Sequence, residues 1–213
     1  MDKKPDRYTV VKIWVGSGVR DFLIAFMIEE EFPYYVAFMY YQGLEKICKG
    51  YILGSMATEY ESLPIQQAKD KINKLAKNEM GHNLKEMIKK LVTAAVLDKD
   101  VFKKRYLITN DYRFNNGAEC IEILEKAYLE CRYPVPHPTH KKYPISGSKS
   151  SGFWNPIGST ELRDFAFELG LTIMKRAEKD FNLTVLRDKA TYSVLLKDED
   201  WLRFRRVFLK DDV

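Results

Sequence analysis

The chain has 213 residues, 46% of them hydrophobic, with a formal net charge of +5. That size and apolar fraction suit one large domain with a real core and exclude a mostly disordered chain. The charge is too modest to demand a nucleic-acid partner by itself, and no apolar run approaches the roughly 18 to 20 residues that span a bilayer. Arg20, Asp21 and the acidic run at 29 to 31 break the longest candidate.

Cys48, Cys120 and Cys131 lack the spacing of a disulfide framework, and "MDKKPDRYTVVKIW" is interrupted by charges rather than built like a signal sequence. Reduced thiols and a soluble, cytoplasmic protein are expected. In chain order, Val19, Phe22, Leu23, Phe26 and Met27 repeat at helical spacing, and Val10, Val11, Trp14 and Val15 extend the pattern backwards through Gly16 and Gly18, which weaken it. Pro33 sits where a second helix begins. Val36, Tyr40, Leu44, Ile47 and Tyr51 line one face of that helix, with Glu45, Lys46 and Lys49 pointing away as a solvated surface with local ion pairs.

A link holding Pro64 leads to the helix "IQQAKDKINKLAKNEM", which Gly81 ends. Asn83 and Glu86 form a capping box for a helix with Leu84, Met87, Ile88 and Leu91 inward, so His82 is a hinge residue that orders the junction. Residues 98 to 111, containing "FKKRY", read as a mixed, basic connection. The next helix opens near "NNGAE", presents Ile121, Leu124, Tyr128 and Cys131, reaches Arg132 and is stopped by Pro134. Residues 133 to 160 hold five of the eight prolines and the string "SGSKSSG", a long loop of the kind that carries function or moves. Ser159 or Thr160 caps a long helix with Leu162, Phe165, Leu169, Ile173 and Ala177 inward. "ATYSVLL" suits a short strand, and "DEDWLRFRRVFL" a terminal helix with Trp201, Phe204 and Phe208 on its apolar side. No internal repeat is present.

Three separated segments share one pattern: "QGLEKICKGYIL", "GHNLKEMIKKL" and "YLECRYP". In that order they resemble the HEPN family (higher eukaryotes and prokaryotes nucleotide-binding), with its Q-x-x-E-K-x-x-K helix, H-[DN]-L turn and Y-[LI]-x-x-R-Y-P helix end. The aromatic "RDFLIAF" on the first helix fits too. The resemblance covers roughly Trp14 to Pro134, with the helix after Thr160 as the family's last. It implies an all-α fold, an antiparallel four- or five-helix bundle spanning residues 10–184, with a long Pro-rich basic loop at 133–160 and a short C-terminal extension at 185–213. It also implies a homodimer.

For chemistry the resemblance divides. One branch of the family cuts RNA without metal through an Arg-x(4 to 6)-His motif facing its copy across a dimer, as toxins or defence ribonucleases. Members with the R-Y-P ending act as accessory or nucleotide-binding partners, often beside a small nucleotidyltransferase. Arg132 and His137 meet the spacing, although Tyr133 replaces the ribonuclease branch's polar residue and Pro134 and Pro136 stiffen the segment. In an enzyme, Arg132 supplies planar donors for a phosphate whose charge builds in the transition state, and His137 moves the proton. Otherwise Arg132 caps the last carbonyls of its helix and pairs with Glu130 or Glu45.

The loop after Arg132 is 28 residues with Lys141, Lys142 and Lys149 and no acidic residue. Tyr133, Tyr143, Phe153 and Trp154 are interleaved with them. Bases can stack on such rings while lysines follow a single-stranded backbone, so Tyr133, His140, Lys141, Lys142, Lys149 and Trp154 are the candidate nucleotide or RNA contacts. The bland alternative folds the aromatics onto the bundle. Cys131, His137 and His140 have the spacing of three zinc ligands but lack a fourth, so neither a metal nor another cofactor is expected. "GSG" at 16 to 18 follows no strand and is a poor phosphate cradle. The resulting expectation is an accessory module that binds nucleotide, RNA or a partner protein, with a metal-independent endoribonuclease and a purely structural interaction bundle as alternatives.

Overall fold

The computed structural model describes residues 4–29, 33–108, 113–132, 161–183 and 197–210. These form α1 (Arg7–Ile28), α2 (Pro33–Ser55), α3 (Ile65–Lys74), α4 (Leu84–Thr93), β1 (Arg105–Ile108), β2 (Arg113–Asn116), α5 (Gly117–Arg132), α6 (Glu161–Phe181) and α7 (Asp198–Phe204). The architecture is α-helical except for the β1–β2 hairpin, which is antiparallel with Arg105 opposite Asn116 and Ile108 opposite Arg113. That hairpin and a 3-10 turn at Lys99–Phe102 stand in the segment expected as a mixed, basic connection. Among the described residues no helix is long and apolar enough to cross a membrane.

Helix boundaries follow local chemistry. Asp6 caps α1 by accepting from the Thr9 amide at 2.6 Å. Asn83 caps α4 by accepting from the Glu86 amide at 2.9 Å. At α5 the capping box is reciprocal: Asn116 Oδ1 accepts from the Glu119 amide at 3.0 Å, and Glu119 Oε2 accepts from the Asn116 amide at 2.8 Å. Gly81 turns the chain after α3 and its terminal π turn at φ +57°, a conformation that costs a residue with a Cβ about 1 kcal/mol or more.

Helices α1 and α2 run antiparallel at unusually close range. A Cβ on Gly18 would lie 2.4 Å from the Gly43 carbonyl oxygen, one on Gly50 2.7 Å from Val15, and one on Gly54 2.4 Å from Val11. This corrects the expectation that Gly16 and Gly18 weaken the helix, since α1 runs unbroken from Arg7 to Ile28. The loss of helix propensity at Gly18 is compensated by backbone-to-backbone packing that a larger residue would forbid.

The core centres on Phe22, which is fully buried. Its ring meets Tyr40 at 6.1 Å, Phe167 of α6 at 5.2 Å and Phe208 at 5.5 Å. Leu162, Phe165, Leu169, Ile173 and Ala177 are buried as their spacing predicts, and so are Trp201, Phe204 and Phe208. The described C-terminal residues therefore pack into the bundle, with the Arg203 guanidinium over the Phe26 ring at 4.9 Å. Met27, expected inward, is 48% exposed.

Candidate functional site

The polar side chains of α2 depart most from expectation. Glu45 and Lys49, expected on a solvated face, are 6% and 4% exposed. Successive residues turn 100° around a helix, which sets Phe38, Tyr41, Glu45 and Lys49 opposite Gly43, Gly50 and Gly54. Helix α1 covers the glycine side, and the α3–α4 junction with α5 covers the other. The helix is enclosed on both sides, so its Glu45–Lys49 pair is internal.

Lys49 Nζ donates to Glu45 Oε1 at 2.6 Å, and His82 Nδ1 lies 3.0 Å from the same oxygen. The contact from Nδ1 to Glu45 holds the imidazole in one orientation. The backbone of His82 is held as well, because the Tyr41 hydroxyl donates to its carbonyl. Burial first, then the nearby Glu45 and Glu125 carboxylates, push the Tyr41 hydroxyl far above its ordinary range, so it remains a neutral donor. The His82 ring lies on Tyr128 of α5 with centroids 5.2 Å apart and planes at 26°. Two helices, α2 and α5, thus converge on one residue of the junction.

Neighbouring interactions fix the frame. Glu125 Oε1 accepts from the Lys85 amide at 3.0 Å, closing part of the N-terminus of α4 with a carboxylate from α5. Lys85 Nζ pairs with Glu122 at 3.3 Å. Across α2, Lys46 pairs with Asp21 of α1 at 2.6 Å. A second buried carboxylate, Glu29, accepts from Tyr40 at 3.2 Å and from Arg163 of α6 at 2.8 Å. It ties α1, α2 and α6 together away from the His82 corner.

Arg132 is the last residue of α5, one helical turn beyond Tyr128, but its side chain lies outside the described residues. So do His137 and the candidate contacts Tyr133, His140, Lys141, Lys142, Lys149 and Trp154, together with the proposed caps Ser159 and Thr160 and the strand "ATYSVLL". Of the cysteines, Cys48 and Cys120 are buried free thiols. "GSG" at 16 to 18 lies inside α1 against α2, with Gly16 and Gly18 buried, and forms no anion cradle.

In the sequence Gly81 and Asn83 mark His82 as a junction residue, but nothing local marks its partners. Glu45 and His82 stand 37 residues apart, and no local pattern joins them. One signal was present: Phe38, Tyr41, Cys48 and Ile52 form a second apolar stripe on α2, and Glu45 falls within it. No family model, curated protein or solved structure matches this chain.

Proposed function

We propose that the chain is a helical module of the HEPN type that binds RNA or a nucleotide at the corner where the α3–α4 junction meets the end of α5. Residues 133–160 supply further basic and aromatic contacts. The observation that carries this reading is the meeting of three segments separated in sequence. "QGLEKICKGYIL" contributes Glu45 and Lys49, "GHNLKEMIKKL" contributes His82, and "YLECRYP" contributes Tyr128, and these side chains touch.

An accessory, non-cleaving role agrees with the R-Y-P ending. The chain leaves this corner as an acid-free segment with three lysines, suited to following a phosphate backbone. Fluorescence anisotropy with a labelled single-stranded RNA across a salt series tests the proposal. Binding should weaken linearly in log salt, and replacing Lys141, Lys142 and Lys149 by alanine should reduce the slope by about 2 if each lysine meets a phosphate. Absence of RNA and nucleotide binding would overturn it. Cleavage in chelator that Arg132→Ala and His137→Ala both abolish would replace it with the ribonuclease reading.

A further inference from the structure

We propose that the exposed face of His82 is a stacking platform for a nucleobase, extending a column of rings that begins inside the bundle. This inference rests on the RNA- or nucleotide-binding reading above and specifies what that corner recognises. Tyr41 lies against Tyr128 with centroids 4.5 Å apart and planes at 28°. His82 lies against Tyr128 at 5.2 Å and 26°. Phe38 adds a nearly parallel ring at 5.9 Å from Tyr128. Tyr41 and Tyr128 are 0% and 5% exposed. The His82 side chain, by contrast, is 56% exposed. The column therefore ends on an imidazole that meets solvent.

An exposed side chain ordinarily keeps its rotational freedom, and fixing it has an entropic cost. His82 is nevertheless held at Nδ1 by Glu45, at its carbonyl by Tyr41 and at its ring by Tyr128. Beneath it α2 retains a buried Glu45–Lys49 pair, which well-packed apolar residues could replace without loss of stability. Holding one exposed ring in one plane is preorganisation, the property that lowers the cost of receiving a flat ligand. Unstacked bases settle on aromatic side chains that include histidine, and every base has the π face this requires.

The polar surroundings favour recognition of the base over capture of a phosphate at the helix end. Glu45 and Lys49 from α2, Glu122 and Glu125 from α5, and Lys85 and Glu86 from α4 surround the corner. The Lys85 and Glu86 amides at the start of α4 already donate to Glu125 and Asn83.

The test uses the full chain and anisotropy with two fluorescein-labelled probes, single-stranded oligoadenylate and an abasic oligomer of the same length. The wild type should prefer the base-bearing probe by roughly ten- to a hundredfold, the range of one stacked base. His82→Ala should lose roughly tenfold or more of that preference, the share of one stacked base, whereas His82→Trp should keep it, with circular dichroism melts verifying that each variant is folded. Base preference undiminished in folded His82→Ala overturns the inference. Equal wild-type binding of both probes overturns it while leaving the RNA reading in place, and wild-type binding of neither removes both.

Discussion

Removing one member of the buried pair on α2 should be far more damaging than removing both. Glu45 and Lys49 have side chains 8% and 5% exposed with Nζ and Oε1 2.6 Å apart. At an effective dielectric constant near 20, charges at that separation attract by about 6 kcal/mol, which the several kcal/mol lost per ion on desolvation largely cancel. The intact pair is thus close to neutral for stability, but Lys49 alone is an uncompensated buried charge and Glu45 alone keeps only the contact with the half-exposed His82 ring. Glu45→Leu or Lys49→Met should each cost about 3 to 5 kcal/mol, a large share of the total stability of a domain. The double variant should fall within about 1 kcal/mol of wild type or exceed it. Urea denaturation of all four proteins gives the coupling energy directly. Additive single effects would refute the argument. The stable double variant is also informative because His82 loses its anchor there, so weaker RNA binding without loss of fold is expected.

Three further outcomes follow from the packing and electrostatics. Gly43→Ala places a Cβ 2.4 Å from the Phe22 ring and 2.8 Å from the Gly18 carbonyl oxygen. Overpacking of about 1 to 3 kcal/mol should exceed the roughly 1 kcal/mol gain in helix propensity, so a stabilised variant in urea melts would contradict the close α1–α2 contact. Phe208→Ala should cost about 3 to 5 kcal/mol and still unfold in one transition, because the Phe208 ring is buried against Phe22 and Phe167. A separate early transition would show that the C-terminal helix is not part of the core. Burial raises the Asp21 carboxyl above 3.8, although the Lys46 hydrogen bond and charge oppose it. The folded state therefore holds this proton more tightly than the unfolded one, and ionised Asp21 costs stability at neutral pH. That cost is relieved as pH falls through the raised folded value and is gone below the ordinary 3.8. Wild type should gain on Asp21→Asn between pH 7 and pH 4 in denaturant titrations, and a constant difference would count against the assignment.

The helix ends were legible because local groups make them: Asn83 and Asn116 cap, Gly81 turns, and Pro64 precedes α3. The inward faces of α4 and α6 were legible because each covers one side of the core. Burial of Glu45 and Lys49 was not, since the periodicity of α2 assigns them correctly to the side opposite Val36 and Leu44 but cannot show that α4 and α5 cover that side too. The hairpin escaped because β1 and β2 have four residues each and no compact turn signature joins them. His82 was placed at its junction by Gly81 and Asn83, but its acquisition of Glu45 and Tyr128 depends on how three helices assemble.

Ultraviolet crosslinking of a single-stranded RNA to the full chain, with the modified peptides mapped, tests the central claim most directly. Binding at the His82 corner predicts adducts on the peptide containing His82 and on peptides from residues 133–160, with the His82 adduct reduced in the Glu45→Leu/Lys49→Met variant. Adducts confined to other surfaces, such as the exposed side of α1 around Ile13 and Ile24, would contradict it.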